Sequence, residues 1–197
     1  MDIKALKDGT LVPIHDWTLD RTMVGATGKP SSLTKEAWAE MRIRAVGEGK
    51  EGTPTTWEEL IDTFGGKILM VPQIDVTGGL LDGFIASIKE RNLAESVIVQ
   101  SWNIETTKTV AEAGLHALQL VSEKNKIDPD KIVAAGAEYV GVPMTVDKAY
   151  VASLKAQGLD VWAYTVNTVD EAEAQYSKGV VGVFTDDPWL LTGSDYK

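Results

Sequence analysis

With 197 residues, 44% of them hydrophobic and 24% charged, the chain is long enough to bury a sizeable core and has the balance of one globular domain. Its formal net charge of −10 argues against nucleic acid or an anionic membrane surface as main partner, while leaving room for one local phosphate site. It contains no cysteine, which removes disulfides and thiolate metal centres and leaves the redox compartment open. No apolar run approaches the ~18 residues of a membrane span. The first residues lack the basic-then-apolar order of a signal peptide, so the expectation is a soluble chain with no transmembrane segment, the cytoplasm favoured.

Residues 2–14 supply the first strand region and run into His15-Asp16, followed by a loop rich in Asp, Arg, Thr and Gly. Thr55 and Glu58 stand at capping-box spacing, in which hydroxyl and carboxylate satisfy the free N–H groups of a helix start. Strands are expected over 67–73, 97–101, 116–121, 138–142, 160–165 and 180–185, short and rich in β-branched residues, as in parallel strands buried on both faces. Between them lie helical stretches. In 77–91, Leu81, Ile85 and Ile88 recur at helical spacing. Thr168 and Glu171 form a second capping box, and Gly114, Gly158 and Gly179 fall where helices favour a terminal glycine. Trp38, Trp57 and Met70 read as packing residues. No linker or low-complexity stretch divides residues 1–197. Seven strand regions in a βα rhythm predict an α/β fold, a (β/α)8 TIM-like barrel lacking one βα unit, with an open doubly wound sheet as its rival.

Barrel sites lie at the carboxyl ends of strands. Here those ends carry His15-Asp16, Gln73-Ile74-Asp75, Gln100-Ser101-Trp102, Val142-Pro143, Tyr164-Thr165-Val166-Asn167 and Thr185-Asp186-Asp187. His15 can give or take a proton near neutral pH, although a histidine after a strand is more often structural. Asp16 is either its orienting partner or a turn former bonded to its own backbone. Arg21, in Asp20-Arg21-Thr22, offers a guanidinium fork for phosphate, with an internal Asp20–Arg21 contact equally ordinary. His116 stands at the start of its strand, the wrong end for barrel chemistry. Thr185 and Asp186 read as helix-capping residues. Gly65-Gly66 and Gly78-Gly79 lack the spacing of nucleotide-binding loops.

The order Asp2…Asp8-Gly9…His15-Asp16…Asp20-Arg21-Thr22 resembles the glycerophosphodiester phosphodiesterase family. So do Gln100-Ser101-Trp102, the stretch from Gly158 through Tyr164-Thr165-Val166-Asn167, and the closing Thr185-Asp186-Asp187-Pro188. The resemblance runs from Asp2 to Pro188 and is specific in combination. It implies a phosphoric diester hydrolase that converts a small-molecule glycerophosphodiester into an alcohol and glycerol 3-phosphate. His15 matches the second of two catalytic histidines, and the substrate's glycerol 2-hydroxyl is the usual nucleophile. A divalent metal, Mg2+ or Ca2+, is implied with it, either retained or lost in this chain. Asp2 matches the aspartate of a Glu-x-Asp ligand pair, with Met1 on the middle position. Gln73 and Asp75 stand where the family has Glu-x-Lys, a metal ligand and a phosphate contact. The departure leaves two readings open, substitute ligands or a lost site. Asp16 and Tyr164 are carried over as substrate-side residues, with a packed ring at the barrel rim the other reading of Tyr164.

The family's first strand, its other histidine and the glutamate are expected outside this chain, in a stretch ahead of Met1 or supplied by another chain. A barrel short of one strand would expose edges near 2–14 and 180–185, closed by distortion, by the chain ends or in a homo-oligomer. Two alternatives stand beside the enzyme: a non-catalytic scaffold of this type that binds a phosphodiester or a protein, and an unrelated barrel hydrolase sharing only the architecture.

Overall fold

The computed structural model describes residues 1–45 and 49–191. They gather into two compact units, Met1–Val99 and a second from Gln100 onward.

The first unit opens on β1 (Asp2–Ala5) and β2 (Leu11–Pro13), an antiparallel pair with Ile3 opposite Pro13 and Ala5 opposite Leu11. The turn between them needs Gly9, whose φ of +86° is open to glycine at no steric cost. The Asp8 carboxylate pins it, accepting N–H bonds from Thr10 at 3.0 Å and Lys35 at 2.7 Å. The region expected to be one strand is therefore two, and the described residues contain eight strands rather than seven. The added strand is the returning arm of this hairpin and not a further βα unit. On its other side β1 pairs in parallel with β3 (Gln73–Ile74), Asp2 opposite Gln73. Strand structure was expected from residue 67. Instead, the Lys67 and Ile68 amides bond back to the Phe64 carbonyl, and Met70 makes only a single parallel bridge to Val97.

Three helices accompany these strands: α1 (Lys35–Ala39), α2 (Trp57–Phe64) and α3 (Gly79–Glu90). The capping box of α2 forms one residue later than the Thr55–Glu58 spacing suggests. Thr56 Oγ1 accepts from the Glu59 amide at 3.2 Å, and Glu59 Oε2 accepts from the Thr56 amide at 2.8 Å. The later register puts Trp57 inside, its ring 4.8 Å from that of Phe84 and its indole N–H donating to Ser87 Oγ at 2.8 Å. It also releases Glu58 to meet the Arg91 guanidinium at 2.6 Å. In α3 the spaced residues Leu81, Ile85 and Ile88 are buried, as their periodicity predicts.

The chain enters the second unit within β4 (Ile98–Ser101), all of whose residues are buried. There β5 (His116–Leu120), β6 (Tyr139–Pro143), β7 (Asp160–Tyr164) and β8 (Gly182–Val183) run parallel, each beside the next in sequence. The helices α4 (Ile104–Glu112), α5 (Pro129–Ala134), α6 (Lys148–Ala156), α7 (Val169–Lys178) and α8 (Pro188–Leu191) alternate with them. Val140, Val142 and Val161 of the strands bury against Val151 and Leu154 of α6. The Thr168–Glu171 capping box forms as expected. Expected over 180–185, β8 shrinks to two residues. At Gly182 a Cβ would lie 3.1 Å from the Trp162 ring, a tight approach that glycine avoids. Among the described residues no helix is long and apolar enough to cross a membrane.

Candidate active site

In the first unit, β2 returns the chain so that the Ile14 amide bonds the Asp2 carbonyl at 2.8 Å. This carries His15 back to the start of β1. His15 Nδ1 lies 3.0 Å from Asp16 Oδ1. The same carboxylate takes a two-pronged bond from Arg21, Nη2 to Oδ1 at 2.8 Å and Nε to Oδ2 at 2.7 Å. The Arg21 hydrogen bonds, and then His15, hold the Asp16 carboxyl far below the ordinary carboxylate range, and Arg21 is raised in turn. With Nδ1 turned to the Asp16 carboxylate, the ring leaves Nε2 for proton exchange. The histidine side chain is 75% exposed, so a substrate oxygen can reach that nitrogen.

The loop beyond is fixed from below. Leu19 and Met23 bury with Leu6, Val12, Ile14 and Trp38, and the Arg44 guanidinium donates to the carbonyls of Arg21 at 3.3 Å and Met23 at 2.9 Å. Arg21 does make an internal contact, but its partner is Asp16 and not Asp20. Asp20 instead accepts from the Gly28 amide at 3.3 Å.

A second group lies along β1 and β3. Side chains two apart on a strand share a face, so Asp2 and Lys4 face with Gln73 and Asp75 across the register. Lys4 Nζ meets Asp75 Oδ2 at 3.3 Å, with the lysine side chain only 8% exposed. Gln73 Nε2 donates to both Asp75 oxygens, at 3.1 and 3.3 Å. The ammonium also stands 4.1 Å from the centroid of the Trp17 ring, a cation–π contact. Lys4, Trp17 and Asp75 wall a cavity of about 170 Å³ whose lining also includes Ala5, Lys29, Pro30, Ser31 and Val76. Sequence reading passed over Lys4 and Trp17. The available signal was Lys4 two positions from Asp2 in a strand, where a buried lysine is rare unless paired.

These contacts bear on the expected cation. A hard divalent ion needs several free oxygen donors. The Asp75 carboxylate is already neutralised by Lys4, and Gln73 turns its amide N–H toward it. No group of three His, Cys, Asp or Glu able to hold a metal occurs among the described residues. As arranged, Asp2, Gln73 and Asp75 do not fit a divalent metal.

In the second unit, Tyr164 Oη donates to the Val121 carbonyl at 2.5 Å, and burial pushes its phenol up to about 12. Its ring meets Trp102 edge-on at 5.9 Å. Asn167 Oδ1 accepts from Thr185 Oγ1 at 3.2 Å and the Asp186 amide at 2.9 Å, and its Nδ2 donates to Asp186 Oδ2 at 3.0 Å. That network clamps the Thr-Asp-Asp end to the loop after β7. His116 begins β5 and pairs with Glu138 at 2.8 Å, the structural role expected of it.

Comparison with known proteins places these features in a context. The sequence model of the glycerophosphoryl diester phosphodiesterase family matches residues 1–190. A glycerophosphodiester phosphodiesterase of Caldanaerobacter subterraneus subsp. tengcongensis is 29% identical, over 97% of this chain and 82% of its own length. A crystal structure of a putative glycerophosphoryl diester phosphodiesterase from Agrobacterium tumefaciens is 25% identical with a TM-score of 0.80, covering 95% of this chain and 80% of that one. An Oleispira antarctica phosphodiesterase, solved with the product sn-glycerol-3-phosphate, is 21% identical with a TM-score of 0.75, covering 94% and 79%. Such neighbours have the TIM-like barrel class of fold expected from the strand rhythm.

Proposed function

Since the chain belongs to the glycerophosphoryl diester phosphodiesterase family, a family of phosphoric diester hydrolases, we propose that it hydrolyses a small-molecule glycerophosphodiester to an alcohol and glycerol 3-phosphate. The observation that carries this reading is the His15–Asp16–Arg21 line. A two-pronged arginine favours the ionised form of Asp16, Asp16 bonds Nδ1 of His15, and the histidine side chain is 75% exposed.

In this reading His15 is the catalytic acid–base group. As the phosphorus–oxygen bond to the alcohol breaks, Nε2 delivers a proton to the departing oxygen or removes one from the attacking oxygen. Asp16 steadies the imidazolium that forms meanwhile, through its bond to Nδ1. The sn-glycerol-3-phosphate held by the Oleispira antarctica protein is the product this reaction releases.

The family is generally dependent on a divalent metal. Because Lys4 and Gln73 occupy Asp75, no step of this reading passes through one, and Mg2+ or Ca2+ enters only as an arm of the test. Purified protein is assayed for glycerol 3-phosphate release from glycerophosphoglycerol, with Mg2+, with Ca2+ and with a chelator. The expected result is turnover that His15→Ala lowers at least ~10²-fold in kcat. Absence of release in every arm would overturn the reading and leave a phosphodiester-binding scaffold.

A further inference from the structure

The cavity lined by Lys4, Trp17 and Asp75 carries information about the alcohol half of the substrate. Recognition of an organic ammonium group, as in a choline or ethanolamine ester, calls for an aromatic face with a carboxylate near it. This cavity has both, in Trp17 and Asp75, and both are already taken. The Lys4 ammonium lies 4.1 Å from the Trp17 ring centroid and 3.3 Å from Asp75. It fills from within the place such a head group would occupy, and with its side chain 8% exposed it is not a loose surface lysine.

The remaining charge points the same way. Among the described residues lining the cavity, Asp75 is the one carboxylate and Lys4 and Lys29 are two ammonium groups, so the lining carries a net positive charge. Gln73 further occupies the Asp75 oxygens. A cationic head group would bring a third positive charge to a carboxylate already met by Lys4 and Gln73. A hydroxyl oxygen, by contrast, can accept from either ammonium or exchange a hydrogen bond with Ser31. Trp17 follows His15 by two residues, so covalent geometry keeps its backbone within about 7 Å of the proposed acid–base group.

We propose, resting on the phosphodiesterase reading above, that the cavity selects diesters whose alcohol is a polyol without positive charge, and that Lys4 is the residue that excludes cationic head groups. Lys4 is thus a specificity-determining residue rather than a group acting on the phosphorus.

Binding can be read apart from turnover. In the His15→Ala protein, calorimetric titration with glycerophosphoglycerol and with glycerophosphocholine should show the polyol diester binding about tenfold or more tightly. Lys4→Met, which vacates the ring face and the carboxylate, should bring the two affinities together or invert them, while Lys4→Arg preserves the preference. Asp75→Asn serves as a second variant should Lys4→Met fail to fold, and it should widen the preference by leaving the ammonium uncompensated. Equal or tighter binding of the choline diester, an unchanged ratio in folded Lys4→Met, or no binding of either diester would overturn the inference. A retained polyol preference in a protein that turns nothing over would overturn the hydrolytic reading and leave this one standing.

Discussion

Asp16 is a partly exposed carboxylate held between two hydrogen-bonding neighbours, and its behaviour follows from them more than from burial. Its folded pKa is depressed from the ordinary 3.8. Its contribution to the folded loop is therefore present above that value and is lost only as pH falls through the lower folded one. Carboxyl-carbon NMR should show Asp16 still ionised at a pH of about 3, where free aspartate is mostly protonated. Arg21→Gln should move its midpoint up toward the ordinary value, because the guanidinium is the first cause of the shift. Unchanged titration in that variant would remove Arg21 from the line that orients His15. Lys4 and Asp75 make a different kind of pair, largely out of solvent, where removing one partner strands the other's charge. That is why the lysine variants above are paired with a folding check.

The hairpin and the helix caps decide more than any single side chain in the first unit. Without the Asp8-Gly9 turn, β2 would not return, and His15 would not lie beside Asp2. The α2 cap is a test of register. Both Thr55 and Thr56 precede a glutamate by three residues, and only the burial of Trp57 chooses between them. Thr56→Ala should cost about 1 kcal/mol of stability in urea unfolding. Thr55→Ala, which loses hydroxyl bonds to Glu59 Oε2 at 2.9 Å and to the Thr56 carbonyl at 3.4 Å but leaves the cap in place, should cost less. The reverse order would place the cap where the sequence spacing alone suggested it. Such choices were hidden because a capping box is a local pattern, whereas its register is set by a ring packed against Phe84, distant in the chain.

At the scale of the whole molecule, ligand linkage offers a direct check on the cation question. A metal at about 100 times its dissociation constant would stabilise the fold by ~2.7 kcal/mol. With Asp75 held by Lys4 and Gln73, thermal unfolding is expected at the same temperature with Mg2+, Ca2+ or chelator, and a clear upward shift with metal would show that the carboxylate can be freed. By itself the sequence determined the βα rhythm, the second capping box, the packing role of Trp38 and Trp57, and the family, through His15-Asp16, Tyr164 and the Thr185-Asp186-Asp187 end. Each of these is written in neighbouring residues or in periodic spacing. Only the tertiary structure decided that the first strand region is a hairpin, that Arg21 serves Asp16, and that Lys4 claims both Asp75 and Trp17. The last of these depends on strand register between residues some seventy positions apart, Lys4 and Asp75, and no local pattern in a single chain encodes which charge will stand opposite which.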